Sequence, residues 1–131
     1  MFEKKLGIHN EIMKLPNGYN TVIGENDRLP LTFKQMIAIA RTILKGHKIM
    51  LLDDALIGLE SEQQDKIMNL LLELKKDHTI VIITLERNVL KNAEKIFLMD
   101  DNQIVESGTL EELINKKGLY YDMYEKSHLT V

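Results

Sequence analysis

Two adjacent carboxylates, Asp53 and Asp54, close the run Lys48-Ile49-Met50-Leu51-Leu52 and are followed by Ala55. An apolar run of that length inside a βα protein reads as a fully buried parallel strand. Ligands of open α/β sheets sit beyond the carboxyl ends of the strands, so Asp53 and Asp54 mark the candidate site. Two carboxylates there suit a magnesium-bound phosphate: Asp53 can hold the metal or its water while Asp54 orients a nucleophilic water. The competing reading is a buried strand followed by an acidic helix cap, and spacing alone leaves both open. His9, His47, His78 and His128 have no ligand spacing, which argues against a histidine metal site.

The elements that must position these carboxylates alternate between helix and strand. An amphipathic helix is expected over residues 2–14, ended by the turn Leu15-Pro16-Asn17-Gly18. A second helix is expected over residues 32–44, opened by a capping box at Thr32-Phe33-Lys34-Gln35 and closed at Gly46. Ser61-Glu62-Gln63-Gln64 repeats the capping signature before a helix carrying Ile67, Leu70, Leu71 and Leu74. A second buried strand follows over residues 79–84. Phe97-Leu98-Met99 and Gln103-Ile104-Val105 read as a hairpin turned at Asp100-Asp101-Asn102. Thr109-Leu110-Glu111-Glu112 caps a short helix, and a terminal helix carries Tyr120, Tyr121 and Tyr124, read as packing residues. The seven methionines read as core filler. Strand, helix and strand in this rhythm imply an α/β fold with a parallel core.

Composition narrows the function classes. A chain of 131 residues with 44% hydrophobic content supports one modest core. A net charge of −3 leaves no basic footprint for nucleic acid or anionic lipid. With no cysteines, disulfides and thiolate metal sites are excluded. No apolar run reaches the ~18 residues of a membrane span, and Met1-Phe2-Glu3-Lys4-Lys5 lacks a signal-peptide core. A cytoplasmic location is expected, with peripheral attachment to the inner face of the cell membrane only through a transporter partner.

Leu52-Asp53-Asp54-Ala55-Leu56-Ile57-Gly58-Leu59-Glu60-Ser61 resembles the Walker B strand and D-loop of ABC transporter ATPases. Ile37-Ala38-Ile39-Ala40-Arg41 resembles the helix after the family's LSGGQ signature. Lys91-Asn92-Ala93-Glu94-Lys95-Ile96 and Ile104-Val105-Glu106-Ser107-Gly108-Thr109 resemble its last strands. The beginning, Gly7 through Tyr19, and the ending, Gly118-Leu119-Tyr120-Tyr121-Asp122-Met123-Tyr124, are similar to exporter-type members. The resemblance covers essentially the whole chain, in order. It implies a partial P-loop NTPase (RecA-like) parallel sheet with flanking helices and part of the ABC helical subdomain. Residues 1–47 would be the helical-subdomain remnant, and residues 48–131 the C-terminal part of the RecA-like core.

The resemblance also implies ATP and Mg²⁺ as cofactors, but the motifs that handle them are eroded. No G-x-x-x-x-G-K-[ST] loop is present; Gly46-His47-Lys48 is the nearest approach and fails the spacing. The signature aligns with Leu29, Pro30, Leu31, Thr32 and Phe33, where the family's serine and glycine amides contact a γ-phosphate held by the facing domain. Pro30 has neither hydroxyl nor amide hydrogen, and Leu31 and Thr32 carry β-carbons where glycine leaves room. Leu85 takes the place of the switch histidine. Asp54 replaces the catalytic glutamate with one methylene fewer, and Glu60 stands where the D-loop has aspartate. Asp53 alone keeps the family residue, for the magnesium-associated carboxylate of a completed site.

The function expected from this pattern is that of a C-terminal fragment of a degenerate ABC exporter ATP-binding domain. Its family role is ATP-driven transmembrane export, for instance of peptides, and the chain alone is expected neither to bind nor to hydrolyse ATP. Its partners would be the missing N-terminal half of the domain or a homologous ATP-binding subunit, and a membrane-spanning transporter domain. The isolated chain is expected to form a homo-oligomer, because strands lacking neighbours present apolar edges. One alternative is a non-enzymatic pseudo-ATPase module that docks on a transporter or a homologous subunit. Another is an ABC-type ATPase of DNA maintenance, opposed by the acidic charge.

Overall fold

The computed structural model describes residues 4, 6–24 and 27–126. The chain divides into two compact units, Met1–Glu86 and Arg87–Val131. The first unit contains α1 (His9–Met13), a 3₁₀ turn (Gly18–Asn20), α2 (Leu31–Leu44), β1 (Ile49–Asp53), α3 (Ser61–Leu74) and β2 (Thr79–Ile83). β1 and β2 pair in parallel, with Ile49 opposite Thr79 and Asp53 opposite Ile83. α2 packs on β1 and buries Met36, Ile39, Ala40 and Ile43, the i, i+3, i+4, i+7 stripe of an amphipathic helix. α3 buries Ile67, Met68, Leu70 and Leu71.

The strand is buried on one face only. Met50 and Leu52 are buried, while Ile49 and Leu51 are 70% and 62% exposed. Val81 and Ile83 of β2 are 46% and 50% exposed. The expected fully buried strand pair is therefore corrected: helices cover one side of the sheet and leave an apolar stripe on the other.

Helix starts also differ from the sequence reading. The expected capping box at Thr32 does not form: α2 begins at Leu31 with Pro30 as N-cap, and the Pro30 carbonyl accepts the Lys34 N–H at 3.1 Å. Thr32 is already inside the first turn, so its hydroxyl cannot cap. Before α3 the box is shifted by one residue. Glu60 is the N-cap, and its N–H donates to Gln63 Oε1 at 3.1 Å. Gln64 is freed for a buried role, its amide donating to the carbonyls of Leu56 and Leu59 at 3.4 and 3.2 Å. The long first helix is interrupted at Gly7, whose φ of +77° takes it out of helical geometry. Residues 2, 3 and 5 of that expected helix lie outside the described residues.

In the second unit, α4 (Arg87–Asn92) precedes the antiparallel pair β3 (Ile96–Asp100) and β4 (Gln103–Gly108), then α5 (Leu110–Lys116) and α6 (Leu119–Lys126). The hairpin turns at Asp101 and Asn102, whose φ values of 44° and 59° fit a two-residue turn with both central residues left-handed. The Thr109 capping box forms as expected: Glu112 N–H donates to Thr109 Oγ1 at 3.2 Å, and Thr109 N–H to Glu112 Oε2 at 2.8 Å. Ile96, Leu113 and Tyr120 form the core of this unit. Tyr124 stacks on Tyr120 at 6.3 Å, and the Arg87 guanidinium lies 4.4 Å from the Tyr124 ring centre. Tyr120 and Tyr124 serve packing, as read from sequence. The methionines divide: Met36, Met50 and Met68 are buried, whereas Met13, Met99 and Met123 are 58%, 65% and 41% exposed.

Candidate functional site

β1 delivers Asp53 at its last position, and the chain turns at once. Asp54 takes a left-handed conformation, φ 47°, which aspartate tolerates better than most residues. Its N–H donates to the Ile83 carbonyl at 3.0 Å, tying the turn to the end of β2. The parallel register thereby brings Asp53, Asp54 and, two residues past Ile83, Leu85 to one end of the sheet. Both carboxylates are exposed, and Leu85 is 81% exposed. Glu86 N–H donates to Thr84 Oγ1 at 2.9 Å, which shapes the turn that presents Leu85. This end of the sheet can offer two carboxylates to a cation and an apolar side chain beside them. Among the described residues, no group of three or more His, Cys, Asp or Glu could hold a metal ion.

The segment of Leu29, Pro30, Leu31, Thr32 and Phe33 is built differently. Asp27 gathers it: Oδ2 accepts the Gly24 N–H at 2.9 Å, Oδ1 accepts the Leu29 N–H at 3.1 Å, and Lys34 Nζ lies 2.7 Å from Oδ1. The Lys34 bond first, helped by the Leu29 and Gly24 N–H donors and opposed by burial, holds the Asp27 carboxyl below its ordinary value. Leu31 is 72% exposed. The hydrogen bonds and ion pair of this segment run to Gly24, Asp27, Leu29 and Lys34, not to Asp53 or Asp54. Asp27 and Lys34 were not singled out from sequence. The available signal was an aspartate two residues before a backbone N–H it can capture, an Asx turn, just upstream of a proline.

A pocket of about 160 Å³ in the same unit is walled by α1, the 3₁₀ turn and α2 through Ile8, Ile12, Tyr19, Ile37, Ala40 and Leu44. It contains neither carboxylate. Glu106, also missed from sequence, is a buried carboxylate in the second unit. It accepts the Tyr120 N–H at 3.0 Å and lies 3.1 Å from Lys116 Nζ, and these bonds, the Tyr120 bond first, hold it below its ordinary value. That arrangement anchors the first turn of α6.

Comparison with known proteins gives these positions a setting. No family model matches the chain. Individual proteins do. The chain is 38% identical over 122 residues to the ATP-dependent lipid A-core flippase of Saccharophagus degradans, spanning 92% of this chain and 21% of that protein. It is 38% identical over 121 residues to the ABC multidrug transporter atrD of Emericella nidulans, 92% of this chain and 9% of that protein. Among solved structures, a bacterial Atm1-family ABC exporter with ATP bound superposes with a TM-score of 0.87 at 28% identity, covering 96% of this chain and 22% of the exporter. The chain thus spans about a fifth or less of the length of these relatives. Among the described residues, no helix is long and apolar enough to cross a membrane. In sequence and in fold, the chain is similar to these ABC exporters and transporters, and it has the fold of a partial ABC ATPase domain, consistent with a C-terminal fragment of one.

Proposed function

We propose that this chain serves ATP-driven export as one part of an ATP-binding domain, and that alone it neither binds nor hydrolyses ATP. The observation that carries the reading is the end of β1. Asp53 and Asp54 stand where a magnesium nucleotide would be met, with Leu85 81% exposed in place of a polar sensor. Asp53 would face the metal of a completed site, and Asp54 would be a shortened substitute for its general base. The donor set here does not fit a magnesium nucleotide unaided, since bound magnesium takes much of its shell from substrate phosphates that need a backbone cradle. The signature segment supports the same conclusion, because Pro30 has no N–H to give a phosphate and Asp27 already holds the Leu29 N–H.

In this reading residues 1–47 act as the helical-subdomain part and residues 48–131 as the C-terminal part of the core. ATP and Mg²⁺ would be shared with the N-terminal half of the domain or with a homologous subunit. A membrane-spanning transporter domain would take up the motion, placing the chain at the cytoplasmic face. The relatives named above move lipid A-core and drugs, and export of peptides is a further reading of the same family pattern. A non-enzymatic docking module is the second reading, favoured by the exposed Leu85.

Calorimetric titration of the chain with Mg-ATP tests the proposal. No saturable binding is expected at micromolar concentrations. A saturable micromolar isotherm would overturn the reading, since it would require a phosphate cradle built from this chain alone.

A further inference from the structure

α6 is eight residues long, and isolated helices shorter than about 12–15 residues are marginal in water. Its start brings no cap of its own. The residue before Leu119 is Gly118, which has no side chain to accept a first-turn N–H. Other elements satisfy both ends instead. At the start, Glu106 Oε2 on β4 accepts the Tyr120 N–H at 3.0 Å, and Lys116 Nζ on α5 lies 3.1 Å from Oε1. A β-carbon on Gly118 would overlap this carboxylate, so the glycine is what lets it reach the helix. At the far end, Arg87 Nη2 on α4 donates to the Tyr124 carbonyl at 2.8 Å. Carbonyls of a last turn have no N–H partner inside the helix, so this bond is a cap supplied from outside. The guanidinium also lies 4.4 Å from the Tyr124 ring centre. An anion at the start and a cation at the end are the signs that the helix dipole favours.

We propose that α6 is a conditional helix, helical only while Glu106 and Arg87 hold its two ends, so that its docking and its folding are one order–disorder event. Two helical turns close too few internal bonds to repay nucleation, so the segment depends on its tertiary partners. Tyr120 supplies the buried side chain, in the cluster with Ile96 and Leu113, and the two charged groups supply the ends. These supports are coupled through the rings. Glu106 holds the Tyr120 N–H, Arg87 holds the Tyr124 carbonyl, and the two tyrosines stack at 6.3 Å one turn apart. Losing either end therefore weakens the ring pair that joins them. A helix supported independently along its length would behave otherwise, fraying from its last turn while keeping its first. Arg87 is the first residue of α4 and follows Leu85 by two residues in the chain. The side chain released when α6 unwinds thus belongs to the segment that leads away from that position. Arg87 is in this sense a positioning residue, acting through Tyr124. The switch lies within the second unit and involves no nucleotide, so its outcome is separate from the Mg-ATP titration.

Residue-resolved amide hydrogen exchange on the full chain decides the matter. Two amides report on the first half of α6: Tyr120 N–H, held by Glu106, and Asp122 N–H, which donates to the Gly118 carbonyl at 3.1 Å. In the unmodified chain both are expected to exchange through one opening, with protection factors equal within about threefold and lower than those of the β3–β4 ladder. Arg87→Ala deletes a side chain at the opposite end of the helix. It is expected to speed exchange at both amides by roughly ten- to a hundredfold, the effect of losing a hydrogen bond from a charged group, and to leave the β3–β4 amides unchanged. Arg87→Lys keeps the charge but not the flat fork that donates to the carbonyl and lies on the ring, so it should restore only part of the protection. Arg87→Ala with Tyr120 as protected as before would overturn the proposal, since that is fraying of the last turn alone. So would equal loss of protection in the β3–β4 ladder, which is unfolding of the whole unit. Should Arg87→Ala not fold, the unmodified chain still decides. Protection factors at Tyr120 and Asp122 that differ by more than roughly tenfold, or that match the β3–β4 ladder, rule out a single local opening.

Discussion

Tyr120 carries a sharp test of how the second unit is held together. The residue is 6% exposed, packed in the core with Ile96 and Leu113, and its hydroxyl is buried with no hydrogen-bond partner among the described residues. A phenol hydroxyl in that position has given up water and gained nothing, a cost of about 1–3 kcal/mol. Tyr120→Phe keeps the ring, its burial and its stacking on Tyr124 while deleting the orphaned group. The variant is therefore expected to be more stable by about 1–3 kcal/mol, a sign that most core substitutions do not show. With a urea dependence of ~1–3 kcal/mol per molar, a mid-range gain of about 2 kcal/mol should raise the midpoint by roughly 1 M. Three of the four tyrosines, Tyr120, Tyr121 and Tyr124, lie in this unit and there is no tryptophan, so near-ultraviolet circular dichroism weights the transition toward it. Leu113→Ala calibrates the signal: Leu113 is 1% exposed in the same cluster, and its truncation should cost about 2–5 kcal/mol. Burial, with a smaller contribution from Tyr124, also pushes the Tyr120 phenol up from its ordinary value. A raised value means that the fold favours the protonated phenol. That stabilisation is present below the ordinary tyrosine range near 10 and disappears as pH rises through the folded value. Tyr120→Phe should remove the alkaline loss. If the variant is instead destabilised by more than about 1 kcal/mol, the hydroxyl has a partner and the reasoning from an orphaned group fails.

Other expectations follow from the same structure. A β-carbon on Gly118 would overlap the Glu106 carboxylate, its Cδ 2.9 Å away, so Gly118→Ala should lower the melting temperature by several degrees in a thermal scan. The Glu106 and Asp27 carboxyls both sit below their ordinary values, through the Tyr120 N–H and the Lys34 ammonium respectively, so each contributes stability at neutral pH that is lost as pH falls through the depressed folded value. Acid titrations should show that loss beginning as pH enters the ordinary carboxylate range near 4 and continuing below it, and Glu106→Gln should remove its share. The double variant Asp54→Glu with Leu85→His should show no ATPase activity in a phosphate-release assay, because both side chains act only on a phosphate already held in place; vanadate-sensitive turnover would refute that.

Much of this architecture is legible in the chain because several signals agree at the same residues. The apolar run before Asp53 and Asp54, the Asp101-Asn102 turn and the Thr109–Glu112 box each have one physical solution, and each forms where expected. Helix starts are less legible where two solutions compete. Thr32 and Gln35 have capping spacing, but Pro30 already supplies a fixed φ and a non-helical ψ of 142°, and Asp27 holds the preceding turn. Glu60 with Gln63 and Ser61 with Gln64 are equally spaced. The first pair wins because Gln64 can instead bridge two carbonyls from a buried position. Gly7 shows the reverse problem, for a glycine is compatible with a helix and with the left-handed turn it adopts.

One-sided burial of β1 lies beyond sequence reading for a different reason. Ile49-Met50-Leu51-Leu52 has no polar residue to mark an outer face, so the pattern fits a strand covered on both sides. Which side is covered depends on the helices packed on it: α2 lies against β1, and Met50 and Leu52 are buried while Ile49 and Leu51 are exposed. A strand whose composition fits two apolar neighbours but which has helices on one face retains an unmet preference for burial. At its end, Asp53 sits opposite Ile83 in the register of β1 on β2, and Asp54 is held by its N–H bond to the Ile83 carbonyl. The strand position that presents the carboxylates is fixed by local backbone bonds, whereas the function proposed for them would require a phosphate cradle that those bonds do not build.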